Sequence, residues 1–130
     1  MVYYYYIGVG TKIIRIGVMI MFETVNGVKV AQNKVKYIKK LIETVENTGK
    51  MSKVIIYGSA LTEDCREDSD VNVVLVGDME EYSGYQVISD ILDVCMDIDI
   101  DQDITCLYYK EGSPEIKQYL DKGKVVWSVK

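Results

Sequence analysis

The chain has 130 residues, a net charge of −5 and a hydrophobic content of 48%. This length fits one domain built around a single core. The acidic balance argues against a surface that binds a nucleic-acid backbone, because such binding depends on an excess of basic residues. The chain contains no histidine, which excludes Ser-His nucleophilic catalysis and most zinc sites.

The first twenty-two residues are rich in tyrosine and aliphatic side chains. Lys12 and Arg15 interrupt this segment, so it offers no uncharged run of the roughly 20 residues that a membrane span needs. We expect residues 1–22 to form an N-terminal extension, as an extra strand or strand pair, and residues 23–130 to form the domain proper. The alternative is an upstream segment before a domain that begins near Met21, and the sequence leaves both open.

Hydrophobic spacing predicts strands that alternate with helices along the rest of the chain. Asn26-Gly27 predicts a tight turn, and apolar residues at every third or fourth position predict a helix over 31–47 whose lysines, Lys34 among them, face outward. The other predicted elements are strands at 53–57, 71–76, 103–109 and 125–129, and helices at 85–96 and 114–120. This order predicts an α/β (α+β) domain with a small mixed sheet and helices mainly on one face.

Cys65, Cys95 and Cys106 are an odd number of cysteines without metal-ligand spacing. We therefore expect free thiols, no disulfide and a cytoplasmic protein.

The most informative motif joins two apolar strands. Gly58-Ser59 closes the first strand, and Asp70-Val71-Asn72 opens the second. Residues at i and i+2 of a strand share one face, so Asp70 and Asn72 point the same way. A Gly-Ser turn can offer backbone N–H groups to a phosphate. Taken singly, Asp70 is an ordinary turn residue and Ser59 an ordinary helix cap; together they fit a site for a nucleoside triphosphate and its metal.

This layout resembles the polymerase-β-like nucleotidyltransferases, especially the minimal nucleotidyltransferase (MNT) domains. The family pattern is a strand that ends in Gly-Ser, a polar stretch, an Asp-x-Asp strand and a later third Asp. The dipeptide Ser69-Asp70 and the ending from Glu115 to Trp127 also match, and the likeness runs from about Val28 onward.

The resemblance implies the nucleotidyltransferase fold and Mg²⁺-dependent transfer of a nucleoside monophosphate, AMP from ATP above all, to an acceptor hydroxyl. The implied metal ligands are Asp70, Asn72 and Asp103, with Asp70 and Asp103 as the catalytic carboxylates. Asp101 is the alternative to Asp103. The residues implied to bind the nucleotide phosphates are Gly58, Ser59, Ser69 and Arg66.

Two departures from the family pattern bear on activity. Asn72 replaces the second carboxylate and removes one negative charge. The stretch from Ala60 to Glu63 lacks the arginines that many relatives carry, which leaves Arg66 as the base of this loop. We expect weaker metal binding unless Asp68 or a substrate phosphate compensates.

The resemblance to minimal domains also implies a partner. The acceptor would be a tyrosine on a protein, as in pairs with helical HEPN toxins, which gives an antitoxin-like enzyme. The alternative is a catalytically weakened pseudoenzyme or binding subunit of a toxin–antitoxin-type complex. The sequence leaves a homo-oligomer open.

Overall fold

The computed structural model describes residues 3–9, 12–18, 21–96 and 102–129, the first two ranges as backbone only. Strands β1 (Tyr3–Val9) and β2 (Lys12–Val18) pair antiparallel and form a two-stranded sheet of their own. Both strands lie within residues 1–22. The boundary between an extension and a domain at residue 23 stays a prediction.

A short hairpin precedes the first helix. Strands β3 (Phe22–Val25) and β4 (Val28–Ala31) pair antiparallel around a two-residue turn, in which Asn26 has a φ of 49° and Gly27 a φ of 84°. These positive angles are those of the tight turn that Asn-Gly predicts. The Asn26 amide donates a hydrogen bond of 2.7 Å to the carbonyl of Val126, which ties the hairpin to the last strand.

A 3-10 turn at Gln32–Lys34 leads into helix α1 (Val35–Thr48). The predicted outward position of Lys34 is wrong: this side chain has no exposed surface. Lys34 lies before the α-helix begins, so the helical period that turns Lys36 and Lys39 outward does not extend to it. The helix ends at Gly49, whose φ of 64° allows its N–H to donate to the carbonyl of Val45.

The main sheet has four strands in the order β7-β6-β5-β8. Strand β5 (Met51–Tyr57) runs antiparallel to both β6 (Val71–Gly77) and β8 (Lys124–Ser128). Strand β7 (Ile104–Lys110) runs parallel to β6, so helix α2 (Glu81–Met96) must cross over between them. Helix α3 (Ile116–Lys122) leads into β8. The predicted mixed sheet is confirmed.

The two faces of the main sheet are covered unequally. Val71, Val73 and Leu75 of β6 join the larger core cluster, which contains the buried side chains of α1 and α2. Val74 and Val76 belong to a smaller cluster with Ile116 and Tyr119 of α3. Helices therefore lie mainly on one face, as predicted, and the short α3 covers only part of the other. None of the helices in the described ranges has the length and apolarity that a bilayer crossing requires.

The three cysteines carry free thiols. Cys106 lies on β7 opposite Val73, whose side chain belongs to the larger core cluster. Burial, with a smaller contribution from Cys95, raises the pKa of the Cys106 thiol from 9.0 to about 12.

The raised pKa of the Cys106 thiol makes the free energy of unfolding depend on pH under alkaline conditions. The native state keeps a proton that the unfolded chain releases above pH 9.0, so the contribution of Cys106 to the free energy of unfolding falls as the pH rises towards about 12. We expect the difference in free energy of unfolding between the wild type and Cys106→Ala to shrink over this window. Urea titrations at several pH values measure this difference, and a value that is independent of pH would contradict the prediction.

Candidate active site

The turn after β5 favours glycine at its first position. Gly58 has a φ of +80°, and a Cβ atom placed there would lie 2.6 Å from Nδ2 of Asn72. Tyr57 is the antiparallel partner of Asn72 in the β5–β6 pair. A 3-10 turn at Gly58–Leu61 follows, and the N–H and hydroxyl of Thr62 both donate to the carbonyl of Ser59 at 2.9 and 3.0 Å. The bonds to Ser59 close the turn, and the pairing of Tyr57 with Asn72 places it beside the start of β6.

The parallel pairing of β6 and β7 brings two carboxylates to one end of the sheet. Asn72 is the partner of Thr105, and the N–H of Val71 donates to the carbonyl of Asp103 at 3.0 Å. Opposed residues of parallel strands point to the same face, so Asp103 and Thr105 share the face of Asp70 and Asn72. Asp70 and Asp103 are both exposed, and Asp103 lies one residue before β7 rather than in the strand. Asp101 lies outside the described residues, so the choice between Asp101 and Asp103 stays a prediction.

The loop before β6 contains the other predicted phosphate ligands. Ser69 and Arg66 close a turn, in which the N–H of Arg66 donates to Oγ of Ser69 at 2.9 Å and the N–H of Ser69 donates to the carbonyl of Arg66 at 3.1 Å. The Ser69 hydroxyl thus has a structural bond, while Arg66 is exposed. The roles of Ser59, Ser69 and Arg66 towards phosphate stay predictions.

The side chains on this face carry oxygen atoms of the kind that bind divalent cations. In the part of the chain that the structure describes, no three histidine, cysteine, aspartate or glutamate side chains come close enough to hold a metal ion. The shared face offers two carboxylates, from Asp70 and Asp103, and the amide of Asn72. These are hard oxygen donors of the kind that Mg²⁺ prefers. By the chemistry of its donors, this set is compatible with one divalent cation, which Asp70, Asn72 and Asp103 would hold.

Sequence reasoning missed two side chains near this face. Thr105 stands beside Asn72 on β7, and only the strand register reveals this. The ammonium group of Lys122 lies 5.2 Å from the ring centroid of Tyr57 and 4.6 Å from that of Tyr119, distances at which a cation is attracted to an aromatic ring. Tyr57 shares the sheet face of its partner Asn72, so Lys122 provides a positive charge at the border of this face. No local pattern links residue 122 to residue 57.

Comparison with known proteins agrees with this architecture. The family described as "Polymerase beta, Nucleotidyltransferase" matches residues 39–130. The chain therefore belongs to the polymerase β nucleotidyltransferase family, and the resemblance inferred from its motifs is confirmed.

Two solved structures have a similar fold. A protein from Sulfolobus solfataricus described as a nucleotidyltransferase has a TM-score of 0.56 at 18% identity, over 75% of this chain and 85% of that chain. A chain of a toxin–antitoxin complex with AMP-PNP has a TM-score of 0.51 at 14% identity, over 71% of this chain and 73% of that chain. At these identities the likeness concerns the fold alone. No curated protein matches the sequence.

Proposed function

We propose that this protein binds ATP with a single Mg²⁺ ion at the starts of β6 and β7 and transfers AMP slowly to an acceptor hydroxyl. The observation that supports this most strongly is the placement of Asp70, Asn72 and Asp103 on one sheet face beside the Gly58 turn. In this proposal Asp70 and Asp103 hold the metal, and Asn72 is a weaker, uncharged ligand. The groups that contact the phosphates are the backbone of Gly58 and the side chains of Ser59, Ser69 and Arg66.

In the transfer, the acceptor hydroxyl loses its proton to water and its oxygen forms a bond to the α-phosphorus of ATP, while the bond from that phosphorus to pyrophosphate breaks. A divalent cation supplies positive charge to the phosphate oxygens when it is bound. Asn72 carries no charge at any pH, so the site holds a cation less tightly than one with a second carboxylate in this position. Because charge builds up most in the transition state, we expect the rate to suffer more than nucleotide binding does.

The acceptor we propose is a tyrosine on a partner protein. The motifs resemble those of minimal domains that pair with helical HEPN toxins, and one structure of similar fold belongs to a toxin–antitoxin complex with AMP-PNP. The second candidate function is a catalytically weakened pseudoenzyme or binding subunit of a toxin–antitoxin-type complex, in which the fold is kept and serves to assemble with a partner. Asn72 favours this second function, since it is the position where the carboxylate is missing.

Isothermal titration calorimetry with ATP and MgCl₂ tests the proposal on the wild type, Asp70→Ala and Asp78→Ala. Asp78 is an exposed aspartate at the opposite end of β6, so its removal is a matched control for the loss of one charge. We expect Asp70→Ala to lose about tenfold or more in Mg²⁺-dependent affinity, equivalent to about 1.4 kcal/mol, and Asp78→Ala to bind like the wild type. Equal affinity in all three proteins, or no binding by any of them, would refute a nucleotide site at Asp70.

A further inference from the structure

Lys34 is a lysine with no exposed surface. Its ammonium group donates to the carbonyl of Glu67 at 2.8 Å and to Oε1 of Gln102 at 2.5 Å. Burial lowers the pKa of Lys34, while Cys65, Asp68, Asp70 and Glu67 act in the opposite direction. A buried ammonium group is costly unless it is hydrogen-bonded, so the bonds to Glu67 and Gln102 offset part of the cost of burying Lys34.

Gln102 connects Lys34 to the backbone at the starts of β6 and β7. Its Nε2 group donates to the carbonyl of Ser69 at 3.0 Å and to the carbonyl of Asp103 at 2.8 Å. Ser69 precedes Asp70 directly, so one amide group holds the backbone beside each of the two carboxylates. The Gln102 side chain is itself buried, with 8% of its surface exposed.

The orientation of the Gln102 amide follows from the chemistry of lysine. An ammonium group is a donor only, so the oxygen of the amide must face Lys34. The two N–H bonds of the amide are then directed to the carbonyls of Ser69 and Asp103. Removal of Lys34 would leave the amide oxygen without this buried donor and would weaken the hold on the amide that its two N–H bonds depend on.

We propose that Lys34 and Gln102 are positioning residues that set the spacing of Asp70 and Asp103 for the metal–nucleotide complex. This inference rests on the function proposed above, because it assigns the two residues a role in that same site. Neither residue touches the nucleotide. Lys34 acts through Gln102, and Gln102 acts through the backbone at the starts of β6 and β7.

A variant of Gln102 separates positioning from stability. Gln102→Glu keeps an acceptor for Lys34 and gives it a charged partner, but the carboxylate cannot donate to the carbonyls of Ser69 and Asp103. An added carboxylate would by its charge alone strengthen the binding of a cation. Weaker Mg²⁺–ATP binding by Gln102→Glu would therefore report the loss of positioning.

Two further variants complete the comparison. Lys34→Met removes both bonds of the ammonium group while it keeps an unbranched side chain of similar length. Thr44→Val is the control for lost stability, because it removes a buried hydroxyl that donates to the carbonyl of Lys40 at 2.7 Å within α1. This bond connects two positions of one helix and none of the site residues.

Urea unfolding and calorimetry with ATP and MgCl₂ are to be measured on all four proteins. We expect Gln102→Glu to lose no more stability in urea than Thr44→Val and to bind Mg²⁺–ATP about tenfold more weakly than the wild type. Lys34→Met should lose both stability and affinity, and Thr44→Val should lose stability only. Affinity of Gln102→Glu equal to that of the wild type overturns the inference while the proposed function stands. No Mg²⁺–ATP binding by the wild type overturns both.

Discussion

Gly58→Ala is expected to cost more stability than the same substitution at Gly112, and to abolish nucleotide binding. A φ of +80° is unfavourable for alanine by about 1–2 kcal/mol. The new Cβ would also lie 2.6 Å from Nδ2 of Asn72, so the Asn72 side chain or the turn must move. The measurements are the free energy of unfolding in urea and the affinity for ATP with Mg²⁺.

Gly112→Ala is the matched control for this substitution. Gly112 has a φ of +88°, and a Cβ atom there would meet nothing within 4 Å. It therefore carries the backbone penalty without the contact, and we expect it to bind nucleotide normally. The extra loss of stability in Gly58→Ala measures the contact with Asn72. If the two variants lose equal stability and both keep binding, Asn72 is not held against the turn.

Asn72→Asp is expected to raise the Mg²⁺-dependent affinity for ATP by about tenfold or more. Two unit charges about 4 Å apart interact by roughly 4 kcal/mol at an effective dielectric constant near 20, and the desolvation of the new carboxylate offsets part of this gain. The same substitution should increase the transfer of labelled AMP to an acceptor. Calorimetry measures the first effect, and incorporation of label measures the second.

Asn47→Asp makes the same chemical change at an exposed position near the end of α1, and we expect it to leave both quantities unchanged. Robust AMP transfer by the wild type that Asn72→Asp does not alter would show that the missing charge is unimportant. Absence of ATP binding by both forms would refute the proposed nucleotide site and support a purely structural subunit.

Much of the fold could be predicted from the sequence, because local patterns decide it. Strands β5 and β6 are short apolar runs that end in glycine, and the Asn26-Gly27 turn has the chemistry of a two-residue hairpin. The predicted boundary of a helix was less accurate where the first turn of that helix has few apolar residues. Helix α2 begins at Glu81, four residues before its predicted start at 85, since its opening residues are mostly polar.

The candidate site was predictable only in part. The Gly-Ser and Asp-x-Asn motifs identify residues on two neighbouring strands, but the position of Asp103 depends on the register of a third strand. Lys34 could not be placed inside the protein, because the helical pattern groups it with the exposed Lys36 and Lys39 and its partners lie 33 and 68 positions away along the chain. Long-range pairing of this kind leaves no local signal.

The parallel pairing of β6 with β7 has a consequence for how the site forms. A carbonyl at Ser69 and an amide at Gln102 meet across 33 positions of chain, which include the whole of α2. Asp70 and Asp103 are separated by a stretch of chain of the same length. Closing a loop of this length costs conformational entropy, and the packing of α2 against the sheet compensates for that cost. We therefore expect the site to be complete only once α2 has packed against the sheet. A nucleotide that bridges the two strand starts would bind the native state alone, and at a hundred times its Kd it would raise the free energy of unfolding by about 2.7 kcal/mol.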